Sequence, residues 1–273
     1  MSLGVVIKCG NDERVLHCMD SVDHPCTVAA SGFFAPNLRR ALEQRGVIVA
    51  DAPRGNLGRT TNIGIAAVGT TKVVVMDSDS WFGPGTLALL DQALDGGAPF
   101  ARARILYAAD PAGVRGSQVV ARSRQHLNDS LRRAYTPGLG LRVDIAPSLG
   151  GHLFDDRICF AEDAEMDFRR REANIPLLHV EGAVVHHAPV ALWHDLRAAF
   201  RVGYGKAQQV QRTTRPNDED PLPFLQRAVR GEHPAALRGW ARELGAAGAA
   251  WNTLWFGSYY LGYYDQRVLQ RHP

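Results

Sequence analysis

Lys72-Val73-Val74-Val75-Met76-Asp77-Ser78-Asp79 is a mostly β-branched apolar run that ends in two carboxylates one residue apart. A continuous run of this kind reads as a strand buried on both faces, which is the habit of a parallel sheet covered by helices. Carboxylates at the exit of such a strand lie in the crevice where open α/β sheets bind ligands. Asp77 and Asp79 flank a small serine, so they can offer hard oxygen ligands to Mg²⁺ or Mn²⁺, and either ion can hold the phosphates of a nucleotide. The competing reading is a solvated turn in which Asp and Ser cap the next backbone amides.

The pattern around this strand repeats it. Apolar runs near residues 4–8, 26–30 and 47–50 alternate with helical periodicity over about 13–22, 37–45 and 58–68. That alternation implies right-handed crossovers and a doubly wound, mostly parallel sheet. Pro84 suits the first turn of a helix that would bury Leu87, Leu90 and Leu94. A strand follows over 100–107, and Gly182 to His187 restores a strand signature. Residues 108–150, rich in Arg, Gly and Pro, show weak periodicity and read as a region containing a substrate loop. After Pro189 the pattern is helical, broken by a linker composition over 216–223.

At 273 residues, with 45% hydrophobic and 22% charged residues, the chain can build one large α/β domain with a helical appendage. A net charge of +3 gives no reason to invoke nucleic acid. Charge is nonetheless uneven: eight arginines fall within 102–142 against Asp110 and Asp129, and seven acids fall within 143–167 against Arg157. Cys9, Cys18, Cys26 and Cys159 show neither C-x-x-C nor zinc spacing, which fits reduced thiols in a cytoplasmic protein. The N-terminus lacks the pattern of a secretory signal. Residues 244–264 carry no charged side chain. Their glycines, alanines, tryptophans and tyrosines favour a packed helical appendage over a peripheral membrane contact, and either over a span.

A second acidic constellation begins at Glu162-Asp163 and continues through Glu165 and Asp167 to Arg169-Arg170-Arg171. Acids leading and bases trailing suit a helix dipole, and Glu165–Arg169 and Asp167–Arg171 are i,i+4 pairs. Glu162 and Asp163 sit together at the helix start, from which a carboxylate can point into a cleft as a general base. His186 and His187, at a strand end, add imidazole to the set.

In this order the motifs resemble the inverting glycosyltransferases of family 2, whose GT-A fold binds a nucleotide sugar. The resemblance covers about residues 4–190. It rests on Val5 to Asn11, on Asn56-Leu57-Gly58 followed by Asn62-Ile63-Gly64, on Asp77-Ser78-Asp79, on Phe154-Asp155-Asp156-Arg157, and on Glu162-Asp163 with Arg169. Two positions depart from the family pattern: Ala30-Ser31 stands where an acidic pair ends the second strand, and Cys9-Gly10 replaces Thr-Tyr.

The resemblance implies a Rossmann-like GT-A domain over 1–190, with 1–100 as the nucleotide-sugar half and 101–190 as the acceptor half, and a helical extension over 191–273. It implies a nucleotide-diphospho-sugar donor, of which a UDP-sugar is the expected form, and a Mn²⁺ or Mg²⁺ cofactor. Asp79 and Asp77 would hold the metal with His187 or His186. Asp163 would be the base, with Glu162 beside it, and the donor would meet Asn11, Asn56, Gly58, Arg59, Asn62, Asp77 and Ser78, with Asp51 as a substitute for the missing acidic pair. Nucleotidyl transfer on a similar fold and a noncatalytic nucleotide-sugar-binding or membrane-docking module are the competing readings. The first would want a glycine-rich, lysine-bearing loop after the first strand, which Gly10-Asn11-Asp12-Glu13 lacks.

Overall fold

The computed structural model describes residues 2–130, 133–212 and 234–268. The chain divides into two compact units, 1–106 with 131–188, and 107–130 with 189–273.

The first unit is built on β1 (Leu3–Cys9), β2 (Cys26–Ser31), β3 (Ile48–Ala52), β4 (Lys72–Asp77), β5 (Ser80–Phe82), β6 (Phe100–Tyr107), β7 (Leu139–Arg142) and β8 (Leu178–His187), in the order β3-β2-β1-β4-β7-β6-β8-β5. From β3 to β4 neighbours run parallel, as the alternating pattern predicts. Beyond β4 the pairs β4–β7, β6–β7 and β5–β8 are antiparallel, so the parallel character belongs to the N-terminal half of the sheet.

Alternate residues of the central strands feed two cores, because a strand points successive side chains to opposite faces. Val5, Ile7, Val28, Val74 and Met76 pack on one face with Leu38 and Leu42 of α2 (Pro36–Glu43) and with Leu87, Leu90 and Leu94 of α4 (Thr86–Asp95). Val6, Val73, Val75 and Leu141 pack on the other with Ile65 of α3 (Leu57–Val68) and Met166 of α6 (Glu162–Glu172). Burying both faces of Val73–Met76 removes each of these side chains from water, a gain on the order of 2 kcal/mol apiece. A shorter helix, α1 (Val15–Asp20), follows β1.

Three expectations need correction. The helix after β5 starts at Thr86 rather than Pro84, since Gly85 takes a left-handed conformation (φ 74°) at its N-cap. Residues 108–150, whose weak periodicity marked no element, contain α5 (Ser117–Ser130), β7 and a 3-10 helix over Val143–Leu149. The last strand begins at Leu178, four residues ahead of its apolar signature.

The second unit contains α5, α7 (Leu192–Arg212) and α8 (Pro234–Val268), the last interrupted at Gly245 (φ 72°, ψ 175°). Asp195, 1% exposed, accepts hydrogen bonds from Arg124 Nε at 2.7 Å and Trp251 Nε1 at 3.1 Å and so ties the three helices together. Glycines allow α7 and α8 to touch backbone to backbone. A Cβ on Gly203 would fall 1.8 Å from the Tyr259 carbonyl oxygen, and one on Gly262 1.9 Å from that of Phe200. Among the described residues, no helix is long and apolar enough to cross a membrane. The linker expected over 216–223 lies outside the described residues.

Candidate active site

β1 and β4 are parallel neighbours, and Lys8 pairs in register with Asp77 at the carboxyl ends of both strands. Lys8 is 8% exposed, although a lysine inside an apolar strand must find anionic partners to stay buried. It finds them from both acidic constellations: its Nζ lies 3.1 Å from Asp77 Oδ1 and 2.7 Å from Glu162 Oε1, and it also donates to Thr136 Oγ1 at 3.0 Å. Burial works against the charge on Lys8, but Asp77, Glu162 and Asp163 outweigh it and hold its pKa above that of a free lysine.

Asp163 follows Glu162 at the start of α6. One carboxylate oxygen, Oδ2, accepts from the Thr136 amide at 3.0 Å and from Thr136 Oγ1 at 3.2 Å; the other accepts from the Ala164 amide at 2.8 Å. Burial, followed by the neighbouring Glu162, pushes the Asp163 carboxyl up to about 6, against the opposing pull of Lys8 and the Thr136 amide. A carboxylate of that basicity is suited to accept a proton near neutral pH. The residue that delivers this pair is strained: Ala161, at the N-cap of α6, has φ 58° and ψ 36°.

On the other side of Lys8, β4 turns through Ser78 and Asp79 into β5, which pairs with β8 so that Ser80 lies opposite His187 and Trp81 opposite His186. The amide of Ala188 donates to the Asp79 carbonyl at 2.9 Å. His187 Nδ1 lies 2.8 Å from the Ala188 carbonyl, which can only accept, so Nδ1 carries the proton. His187 Nε2 then turns toward Asp79 Oδ1, 3.7 Å away. An imidazole lone pair facing a carboxylate at that distance calls for a proton or a cation between them. Adjacent ligands about 2.1 Å from one octahedral ion stand roughly 3.0 Å apart. Asp79 and His187 carry donor atoms that suit a divalent ion, but at 3.7 Å they would have to draw closer to share one. Among the described residues no three His, Cys, Asp or Glu side chains form a metal-holding group, so any further ligands would come from outside this set.

His186 is not part of this arrangement. It points to the opposite face of β8, where its ring stacks on Trp81 at 5.8 Å, and Trp81 in turn meets His17 edge-on at 4.7 Å. Ser78 donates to Asp12 Oδ2 at 3.1 Å, and Arg14 pairs with Asp12 at 2.9 Å while its Nη2 stands 3.7 Å from Asp79 Oδ2. Burial raises the Asp12 carboxyl, but Arg14 and Ser78 outweigh that and hold it below the usual carboxylate range.

The asparagine and glycine positions are engaged with the protein itself. Asn56 caps α3 by accepting from the Arg59 amide at 2.9 Å, and its side-chain amide donates to the Asp156 carbonyl. Asn62 donates to the Phe154 carbonyl at 2.7 Å and to Asp156 Oδ1 at 2.6 Å. A Cβ on Gly58 would lie 2.3 Å from the Asp155 carbonyl oxygen. These three positions thus staple α3 to the loop that leads into α6. Arg169 completes the same support by donating to the carbonyls of Leu149, His152 and Leu153 while paired with Glu165. Asn11 (φ 62°) accepts from the Ala35 amide at 2.7 Å, the exposed Asp51 pairs with Arg39, and Arg59 is exposed.

The uneven arginines have structural partners in several cases. Arg102 donates to the Arg133 carbonyl, Arg124 pairs with Asp195, and Arg142 pairs with Asp144. Sequence reasoning passed over Lys8, Thr136, Asp12 and Arg14. Of these only Lys8 carried a signal, a lone charge inside Val5-Val6-Ile7-Lys8-Cys9.

No protein-family model and no curated protein sequence matches the chain. Solved structures do. Residues 1–349 of TarS from S. aureus superpose with a TM-score of 0.54 at 13% identity, covering 100% of this chain and 93% of that one. The same TarS fragment in complex with UDP-GlcNAc gives 0.56 at 13% identity with the same coverage. GalNAc-T7 with UDP, GalNAc and Mn²⁺ gives 0.59 at 15% identity, covering 92% of this chain and 54% of that one. At such identities the likeness is one of fold, and the fold is GT-A: a mixed α/β sheet flanked by helices, with a helical C-terminal region.

Proposed function

We propose that this protein transfers a sugar from a nucleotide-diphosphate donor to an acceptor hydroxyl, with inversion at the anomeric carbon and with the help of Mn²⁺ or Mg²⁺. The observation that carries the reading is Lys8: one buried ammonium joins the Asp-x-Asp strand end to the Glu-Asp helix start, so both acidic motifs serve a single site. Structural neighbours solved with UDP-GlcNAc and with UDP support a UDP-sugar as the donor.

In this reading Asp79 and His187 hold the cation. Once bound, it stabilises the negative charge that gathers on the leaving diphosphate. Asp77, fixed by Lys8, orients the donor beside it. Asp163 takes the proton of the attacking hydroxyl, and the Thr136 amide and hydroxyl aim its carboxylate and limit how basic it becomes. Glu162, 2% exposed and bound to Lys8, keeps the local charge balanced without reaching the substrate. Asn56, Gly58 and Asn62 act through the loop they hold.

Calorimetric titration with UDP and UDP-sugars, each with and without Mn²⁺, tests the reading. Donor binding that Mn²⁺ strengthens, and that Asp79→Ala and His187→Ala each make insensitive to Mn²⁺, is the expected result. Equal affinity with and without the ion in the unaltered protein would remove the cation from the proposal, and no binding of any nucleotide sugar would end it.

A further inference from the structure

The outer face of α8 carries a feature that sugar transfer does not use. Ala247, Ala250, Leu254, Gly257, Leu261 and Tyr264 follow one another at alternating spacings of three and four residues. A strict alternation of that kind keeps one narrow seam in line along a helix and is the spacing by which two helices pack together. The first five are exposed, with Leu254 at 57% and Leu261 at 66%, and Tyr264 is half-buried. The opposite face of α8, through Trp251, Trp255 and Tyr263, is already buried. A surface helix ordinarily turns charge outward here, yet 244–264 offers none.

Side-chain size along the seam identifies the occupant. Laid antiparallel on a second copy of itself about an axis midway between Leu254 and Gly257, the seam pairs Leu254 with Gly257, Leu261 with Ala250 and Tyr264 with Ala247. Every large residue meets a small one, and the pairing is the same read from either chain, as a two-fold interface requires. A second feature lies where this register needs it. Val119 and Arg122 of α5 form a cleft with Leu244, Ala247 and Gly248, so the Tyr264 ring of a partner has a recess to enter and a guanidinium to meet.

We infer that the protein self-associates as a two-fold dimer through antiparallel α8 helices. The seam is about 27 Å long at 1.5 Å per residue. A single helix pair of this length buries less than the roughly 1,200 Å² of a standard interface, so the dimer is weak, with a dissociation constant in the micromolar range. A lipid surface is the less apt occupant, because two leucines among alanines and glycine offer little apolar bulk to a bilayer.

Sedimentation velocity of the full chain from about 1 to 200 μM tests this. The expected result is a mass that climbs from monomer toward dimer, and Leu254→Glu or Leu261→Glu should each weaken association about tenfold or more. Both side chains are mostly exposed in the monomer, so unchanged circular dichroism should accompany the loss. Register is read by oxidative cross-linking in a Cys159→Ser background: Leu254→Cys and Gly257→Cys chains mixed together should cross-link with each other more than either does alone. A monomer at every concentration overturns the proposal. So do cross-links dominated by Leu254→Cys with itself, and sedimentation of a monomeric protein with anionic vesicles that Leu254→Glu abolishes.

Discussion

Lys8 and Glu162, 154 positions apart in the chain, meet at 2.7 Å in the interior, with side-chain exposures of 8% and 2%. Removing one member of a buried ion pair costs far more than the pair is worth, because the survivor is stranded without water. Lys8→Met is therefore expected to destabilise the fold by about 3–5 kcal/mol. Adding Glu162→Gln should restore part of that loss. Urea denaturation at neutral pH measures both variants, and additive losses in the double variant would show that the two groups are not coupled.

The Asp163 carboxyl, raised to about 6, must be ionised to accept a proton. The transfer rate should thus climb with pH up to about 6 and level off above it, and Asp163→Asn should cost 10²-fold or more across the plateau. Stability runs the other way. Since the folded pKa exceeds the unfolded 3.8, the native state keeps a proton that the unfolded chain has released, and this contribution is lost as pH rises from about 4 to 6. Asp163→Asn should accordingly gain stability over the unaltered protein above pH 6, by on the order of 1 kcal/mol. Thermal melts at pH 5 and pH 8 provide the comparison, and a variant that gains nothing at the higher pH would contradict the raised pKa.

Asn62 spends its side chain on the Phe154 carbonyl and Asp156. Asn62→Ala should cost about 1–3 kcal/mol by leaving those groups unpaired. At about 2–4 °C per kcal/mol for a domain of this size, the melting temperature should fall by several degrees. Donor affinity should change less than threefold. A large loss of affinity at an unchanged melting temperature would make Asn62 a ligand contact instead.

Ala161 holds a left-handed backbone just before the Glu-Asp pair. An L-residue there costs about 1–2 kcal/mol, part of which glycine recovers before its own entropy is charged. Ala161→Gly should raise stability by roughly 0.5–1 kcal/mol. Chemical denaturation reads the change, and a destabilised variant would mean that the Ala161 methyl group is needed for packing.

Much of the parallel half of the sheet was legible because its strands are buried on both faces and announce themselves as unbroken apolar runs, as Val73–Met76 does. Helix α5 was not. It buries Ser117, Ala121 and Ser123 along with Val120, and small or hydroxylated residues leave hardly any 3.6-residue hydrophobic rhythm. At the site, Asp77, Asp79, Glu162, Asp163 and His187 could be picked out by type and position along the chain. That His187 rather than His186 faces Asp79 follows only from the register of β8 against β5. Periodicity also gives no warning that Asn56 and Asn62 serve the protein rather than a ligand, since that depends on a loop about 90 to 100 positions away.

The polypeptide passes between its two compact units at 106/107, 130/131 and 188/189. A cut near residue 190 would thus leave α5 behind, still attached to the first unit but separated from α7 and α8, with which it shares the second. The C-terminal region is consequently no cassette that recombination could exchange at a single junction; any ancestral gain or loss of it had to be accompanied by change in the middle of the chain.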